Sequence, residues 1–144
     1  MQNLPHIYSA SVASQPEGHS STSAAGVAPL TVAAPAEFGG PGDQWSPESL
    51  LMASVANCLV LSFKAIAAAS RLEWLAIECE SQGELDKVER QIKFTQINSK
   101  ATLRVASPDL VSKAERLLHK AEETCFISNS LSCDSQLSVD VIVG

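Results

Sequence analysis

Closely spaced cysteine pairs are absent from this chain, which has four cysteines in 144 residues and no C-x-x-C motif. Thioredoxin-type redox sites and zinc ribbons depend on such pairs, and small disulfide scaffolds are shorter and richer in cysteine. We therefore expect a cytoplasmic protein with reduced thiols, no metal centre and no bound cofactor.

Basic residues are also scarce. Ten Lys and Arg stand against 16 Asp and Glu, for a net charge of −6, and none of the ten precedes Lys64. Proteins that bind nucleic acid carry a basic patch or stripe, so the composition disfavours that class. Residues 1–8 have neither the basic start nor the continuous apolar segment of a secretory signal, and none is expected.

The longest apolar run covers residues 50–70 and matches the ~20 residues that a membrane span needs. Three polar residues and a lysine interrupt this run, and no basic cluster flanks it. A buried core helix is therefore the favoured interpretation. Just before the run, Ser46-Pro47-Glu48 combines an N-cap serine, a proline at the first helical position and an acid in the first turn.

The remaining patterns predict one α+β domain over residues 1–144, with helices covering an antiparallel sheet. Residues 7–13 and 27–33 are predicted as a strand pair joined by a turn or loop over residues 15–26, and residues 35–45 as a glycine-rich connector. Residues 83–90 are predicted as a charged turn. Alternating apolar residues mark the later strands: Leu75, Ile77 and Cys79, then Ile92 and Phe94, Leu103 and Val105, and finally Leu137, Val139, Val141 and Val143.

A second helix is predicted after Ser107-Pro108-Asp109, which repeats the start signal of the first helix. Its apolar stripe consists of Leu110, Val111, Ala114, Leu117, Leu118 and Ala121. Cys125 follows the stripe and is predicted to lie on or near the buried face at the end of this helix.

The four cysteines differ in how strongly the sequence indicates a reactive thiol. Cys79 alternates with strand residues and is predicted to be a core hydrophobe, while Cys133 lies in a polar stretch without a partner pattern. Cys58 lies in the apolar helix among small neighbours, and the residues alone leave it open between an inert core thiol and a reactive one. Glu48 lies ten positions earlier, about 15 Å along the helix, so the two side chains are not expected to touch.

From about residue 37 to residue 143 the chain resembles the OsmC/Ohr family of thiol-dependent hydroperoxide reductases. The stretch from Ser46 to Cys58, SPESLLMASVANC, is similar to that family's Asn-Pro-Glu-x-Leu…Ala-x-Cys helix. The stretch from His119 to Leu131, HKAEETCFISNSL, is similar to its second cysteine box, usually Cys-Pro-x-Ser-Asn. The first 35 residues give the weakest match.

The resemblance implies a mechanism and an assembly. Cys58 matches the peroxidatic cysteine, Cys125 the resolving cysteine that forms a disulfide with it, and Glu48 the carboxylate that positions a catalytic arginine. The implied reductant is an external dithiol, often a lipoylated protein. The implied fold is an intertwined α+β homodimer with a long buried central helix, and neither nucleic acid nor membrane is an expected partner.

One family feature has no counterpart here, because the family's catalytic arginine comes from the N-terminal hairpin and this chain has no arginine before Arg71. His19 is the nearest chemical substitute, since a protonated imidazole can stabilise a thiolate. The leading hypothesis is hydroperoxide reduction through Cys58 and Cys125. The alternative is a non-catalytic dimer of the same fold that binds a small hydrophobic ligand.

Overall fold

The computed structural model describes residues 2–144, and the chain divides into two compact units, Met1–Leu51 and Met52–Gly144. We call these unit 1 and unit 2. The first long helix crosses the boundary between them. That residues 1–144 form a single domain stays a prediction.

Unit 1 contains a three-stranded antiparallel sheet rather than the predicted strand pair. Its strands are β1 (Ser11–Ala13), β2 (Ser20–Ser23) and β3 (Leu30–Val32), with β2 in the middle. The prediction of a loop over residues 15–26 was wrong because β2 lies within it. Its sequence is SSTS, which has no apolar alternation, and it is held by backbone pairing to a strand on each side.

The glycine-rich connector folds back tightly on itself. A 3-10 turn, Ala36–Phe38, ends at Gly39, whose φ of 87° is in the left-handed region that favours glycine. The Gly40 N–H donates to the Pro35 carbonyl at 3.0 Å, and a Cβ at Gly40 would overlap the Ala34 carbonyl. Glycine is therefore required at residue 40 by a close backbone approach within unit 1.

Helix α1, Pro47–Ala69, begins where the sequence predicted. The Ser49 N–H donates to Ser46 Oγ at 3.1 Å, and the Ser46 N–H donates to Ser49 Oγ at 2.9 Å. This reciprocal arrangement satisfies backbone donors that have no partner inside a helix. The N-cap prediction for Ser46 is confirmed.

The burial of α1 within one chain is limited to a single stripe. Only Val55, Leu59, Phe63 and Ala67 are buried, at a spacing of four residues, and Leu61 is 59% exposed. By length and composition α1 is also the one helix in the described part of the chain that could cross a membrane, a test that core helices of soluble proteins pass as well. The all-round burial expected for this helix requires a partner chain, which stays a prediction.

Unit 2 is built on a second sheet, with the order β4 (Ala76–Val88), β5 (Gln91–Val105) and β6 (Asp134–Val143). Strands β4 and β5 form an antiparallel hairpin that turns at residues 89–90. The charged turn predicted over residues 83–90 is therefore too long. Most of its residues continue β4, where opposite charges such as Asp86 and Lys93 face each other across the strands.

Strand β6 pairs with β5 in parallel, which corrects the prediction of a wholly antiparallel sheet. The chain leaves β5 through a 3-10 turn, Pro108–Leu110, and then forms α2 (Val111–Glu123) and α3 (Phe126–Asn129) before β6 begins. A helical crossover of this kind returns the chain to the end of the sheet where β5 started, so the next strand runs in the same direction. The α+β class is confirmed.

Helix α2 covers this sheet with its predicted stripe. Ala114, Leu117, Leu118 and Ala121 are buried in the core of unit 2. The start signal at Ser107 initiates the 3-10 turn, and the α-helix proper begins at Val111.

Candidate functional site

Two of the predicted site residues, Cys58 and Cys125, meet in unit 2. Cys58 lies on α1 and is half-buried, whereas Cys125 is 1% exposed and is the N-cap residue of α3. The thiol of Cys125 forms a hydrogen bond with the sulfur of Cys58. None of the four cysteines, all within the described residues, is in a disulfide.

The segment that follows α2 holds Cys125 in place. The Asn129 side-chain amide donates to the Glu123 carbonyl at 3.1 Å, near the end of α2. The Asn129 N–H donates to the Cys125 carbonyl at 3.0 Å, and the Cys125 N–H donates to the Glu122 carbonyl at 3.2 Å. These bonds fix the backbone on both sides of Cys125, so the thiol is presented in a defined position.

Four polar groups lie close enough to the sulfur of Cys58 to lower its pKa. They are the Cys125 thiol, the backbone N–H groups of Ile127 and Phe126, and the hydroxyl of Ser62, whose oxygen is 4.0 Å from the sulfur. Partial burial works to raise the pKa of Cys58, but these hydrogen bonds together outweigh it and lower the pKa below the ordinary value of cysteine. Cys58 is therefore the thiol of the pair that favours the thiolate form.

The pKa of Cys125 shifts in the opposite direction, upwards. Burial raises its pKa first, and its hydrogen bond to Cys58 raises it further, while donors from Ser128 act against both. The pair thus combines a sulfur that favours the thiolate with a neighbouring sulfur that retains its proton. This asymmetry suits one cysteine to nucleophilic attack and the other to a later step.

Sequence reasoning missed three of these donors. Phe126 and Ile127 act through their backbone N–H groups, for which side-chain identity gives no signal. Ser62 was detectable, because residues four apart lie on the same face of a helix and Ser62 follows Cys58 by four.

The other cysteines lie apart from this pair. Cys79 packs against the core of unit 2, as predicted, and burial raises its pKa, although a hydrogen bond with Ser81 opposes that rise. Cys133 lies half-buried just before β6. Neither thiol is among the hydrogen-bond partners of Cys58.

Glu48 and His19 belong to unit 1. Glu48 is in the first turn of α1, and its Oε1 is buried. His19 is exposed immediately before β2. Their predicted roles beside Cys58 stay predictions, since Cys58 belongs to unit 2.

A small cavity lies behind Cys125 in unit 2. Its lining includes Val55, Leu59, Glu122 and Ser128, and its volume is about 10 Å³. That is room for about one water molecule. Burial raises the pKa of the Glu122 carboxyl, an effect that His119 opposes and Glu123 reinforces.

The two thiol environments predict an order of reaction with an alkylating reagent. Thiolates react and thiols do not, so Cys58, with its lowered pKa, is expected to be carboxamidomethylated by iodoacetamide at a lower pH than Cys79. Peptide mass spectrometry across a pH series measures both midpoints in one sample. Equal midpoints, or an earlier reaction at Cys79, would contradict the thiolate assignment to Cys58.

Comparison with known proteins identifies the family of this chain. The family model described as OsmC-like protein matches residues 40–140, which is well over half of the chain. The chain belongs to the OsmC family. The resemblance inferred from the two cysteine boxes is thereby confirmed.

Individual relatives are similar to this chain along most of their length. The uncharacterized protein YmaD of Bacillus subtilis (strain 168) is 27% identical over 116 residues, or 78% of this chain and 77% of the relative. The structure of an OsmC-like protein of unknown function from Vibrio cholerae has a TM-score of 0.84 at 19% identity, covering 94% of this chain and 99% of that one.

A third OsmC relative has a name that refers to chemistry. It is an organic hydroperoxide resistance protein OsmC, a predicted redox protein, from Legionella pneumophila, with a TM-score of 0.75 at 25% identity, covering 98% of this chain and all of that one. Family membership and this likeness support a peroxidase-like role at the level of the family.

Proposed function

We propose that this protein reduces hydroperoxides through a two-cysteine cycle that uses Cys58 and Cys125. The observation that carries the proposal is the pairing of Cys58 with Cys125 in unit 2, where the Cys125 thiol adjoins the Cys58 sulfur. The pKa is lowered at Cys58 and raised at Cys125, in agreement with these roles. A peroxidase of this kind needs one thiolate that attacks the peroxide and a second thiol that later forms a disulfide with it.

The proposed cycle balances in three steps. The Cys58 thiolate attacks the terminal oxygen of a hydroperoxide, the O–O bond breaks, and the alkoxide takes a proton to leave as an alcohol. Cys58 is then a sulfenic acid. The Cys125 thiol condenses with it, forming the Cys58–Cys125 disulfide and releasing water. An external dithiol, such as a lipoylated protein, reduces the disulfide and is itself oxidised.

Backbone groups that follow Cys125 can replace the missing arginine in stabilising the Cys58 thiolate. The N–H groups of Phe126 and Ile127 are fixed donors that favour the charged form of the Cys58 sulfur, which is one task of a cation at such a site. Fixed N–H donors need no rearrangement as charge develops or moves. In this proposal they carry the activation of the thiolate.

Two features of unit 2 argue against the alternative of a packed, non-catalytic Cys58. An inert buried thiol has a raised pKa, as Cys79 has, whereas the pKa of Cys58 is lowered. The cavity behind Cys125 has room for about one water molecule, so a hydrophobic ligand would have to bind elsewhere in the protein.

Disulfide mapping after exposure to one equivalent of cumene hydroperoxide tests the proposal directly. We expect rapid loss of two thiols, with mass spectrometry locating the new bond between Cys58 and Cys125 while Cys79 and Cys133 stay reduced. Four unreacted thiols would overturn the peroxidase proposal. A disulfide that included Cys79 or Cys133 would overturn the assignment of the resolving residue.

We also propose that the working form is a homodimer, in a reducing compartment such as the cytoplasm. Most of α1 lies outside the buried stripe of one chain, including Leu61 at 59% exposure. Helix α1 is apolar over 23 residues, yet only a narrow stripe of it is buried. A second copy of the chain that covers the remaining surface would explain this composition.

Leu61→Glu is expected to weaken dimerisation by at least about tenfold, because it places a charge in an apolar contact. Sedimentation velocity across a concentration series measures the shift from dimer to monomer. Leu75→Glu is the matched control, since Leu75 is 58% exposed and lies outside α1. A wild-type protein that stays monomeric at every concentration would contradict the dimer.

A further inference from the structure

The proposed resolving thiol is almost fully shielded from bulk water. Cys125 is 1% exposed, and burial raises the pKa of its thiol, so the sulfur keeps its proton. To form a disulfide with Cys58, Cys125 has to give up that proton. The proton therefore needs an acceptor that reaches Cys125 from inside unit 2.

The cavity behind Cys125 has the polarity that a buried water molecule requires. Its volume is about 10 Å³, which is room for about one water. Purely apolar cavities stay dry, whereas a buried water makes about two to four hydrogen bonds to polar partners. Polar residues line this cavity from α2, α3, β5 and β6: Glu122, Ser128, Ser99, Ser135 and Gln136.

Glu122 is the proton acceptor that this cavity offers. Apart from Glu122 and Cys125, the described residues that line it, from α1, α3, β5 and β6, carry no ionisable group. The Glu122 carbonyl accepts the Cys125 N–H at 3.2 Å, so the two residues are fixed relative to each other. Burial raises the pKa of the Glu122 carboxyl, an effect that Glu123 reinforces and His119 opposes, both from α2. A carboxylate with a raised pKa is a stronger proton acceptor than an exposed one.

We propose that one water molecule in this cavity carries the proton of the Cys125 thiol to the Glu122 carboxylate when Cys125 attacks Cys58. This role rests on the two-cysteine cycle proposed above and assigns a further residue to its second step. Because Glu122 acts through the water and does not touch a reacting sulfur, it is a positioning residue for the proton.

The step balances in both directions. As the Cys58–Cys125 bond forms, the Cys125 proton passes through the water to Glu122, and the hydroxide that leaves Cys58 takes a proton from solvent. When an external dithiol attacks the disulfide at Cys58, Cys125 leaves as a thiolate and Glu122 returns the proton to it.

A small aromatic disulfide, dithiodipyridine, tests this role without peroxide. The parent protein for the test carries Cys79→Ser and Cys133→Ser, so only the thiol pair reacts. With one equivalent of reagent, the Cys58 thiolate forms a mixed disulfide and releases one thiopyridone. Cys125 then attacks that mixed disulfide and releases a second thiopyridone, in an intramolecular step that stopped-flow absorbance separates from the first. Because no peroxide takes part, a failure of the proposed peroxidase activity would not alter this result.

Glu122→Gln should slow the second release at least about tenfold and leave the first within about twofold. In the parent, the second release should accelerate as rising pH ionises Glu122, since only the carboxylate accepts a proton. In Glu122→Gln that acceleration should be lost, leaving the rise at higher pH that accompanies ionisation of Cys125. A residue with a merely structural role would slow the step without changing its pH profile.

Glu115→Gln is the matched control, because Glu115 is exposed on α2 and does not line the cavity. Both releases should match those of the parent, and circular dichroism establishes that each variant is folded. An unchanged second release in folded Glu122→Gln would overturn the inference, and so would a slower release with the pH profile of the parent. A parent protein without a second release, or without the pH-dependent acceleration assigned to Glu122, would overturn it as well.

Discussion

Cys58→Ser is expected to abolish hydroperoxide turnover, with a fall of about three orders of magnitude or more in the rate supported by an external dithiol. A serine hydroxyl at this position cannot form the sulfenic acid that links the two halves of the cycle. Removing the nucleophile of an enzyme that forms a covalent intermediate leaves only the residual effects of binding. A coupled assay that follows loss of cumene hydroperoxide measures the rate.

Cys79→Ser is the matched control for this variant. Cys79 is also half-buried in unit 2, but it packs against the core and its pKa is raised, so turnover should remain within about twofold of wild type. Retained turnover in Cys58→Ser, or an equal loss in both variants, would refute the role of Cys58.

Cys125→Ser separates the two steps of the cycle. Cys58 should still attack one equivalent of peroxide, and its sulfenic acid should then accumulate, since no resolving thiol is present. Trapping with dimedone and mass spectrometry would locate that adduct on Cys58. Full turnover through a disulfide to another cysteine would show that Cys125 is dispensable.

Phe63→Ala is expected to have the largest effect on stability, lowering the free energy of unfolding by about 3–5 kcal/mol. Phe63 is fully buried in the core of unit 2, and its ring meets that of Trp74 edge-on, with centroids 5.6 Å apart. The substitution removes that contact and leaves a cavity that close-packed neighbours fill only in part. Equilibrium urea denaturation followed by circular dichroism measures the loss.

Tyr8→Ala supplies the comparison for this variant. Tyr8 is 86% exposed, so its truncation should change the free energy of unfolding by less than about 0.5 kcal/mol. A loss below about 1 kcal/mol for Phe63→Ala would contradict the packing described for unit 2.

Local sequence patterns predicted much of the fold correctly. Ser46 and Pro47 marked the start of α1 because capping depends on residues within one helical turn. The stripe around Leu117 marked the buried face of α2 because helical periodicity is written directly into the order of residues. The two cysteine boxes were enough to identify the family.

Predictions failed where pairing with distant residues decides the structure. Strand β2 has a polar sequence and exists through hydrogen bonds to β1 and β3. The charged residues of β4 extend the strand because β5 faces them. The parallel direction of β6 follows from the crossover through α2, which a local pattern of alternation does not record.

The sequence by itself determined which groups are available: two thiols in recognisable boxes, a glutamate in the first turn of α1, and no arginine before Arg71. Only the tertiary structure decided what these groups do. It brings the N–H groups of Phe126 and Ile127 to the Cys58 sulfur, and it buries Oε1 of Glu48 without a partner. Reactivity and binding depend on solvation and on hydrogen bonds between residues distant in the chain, and folding alone creates both.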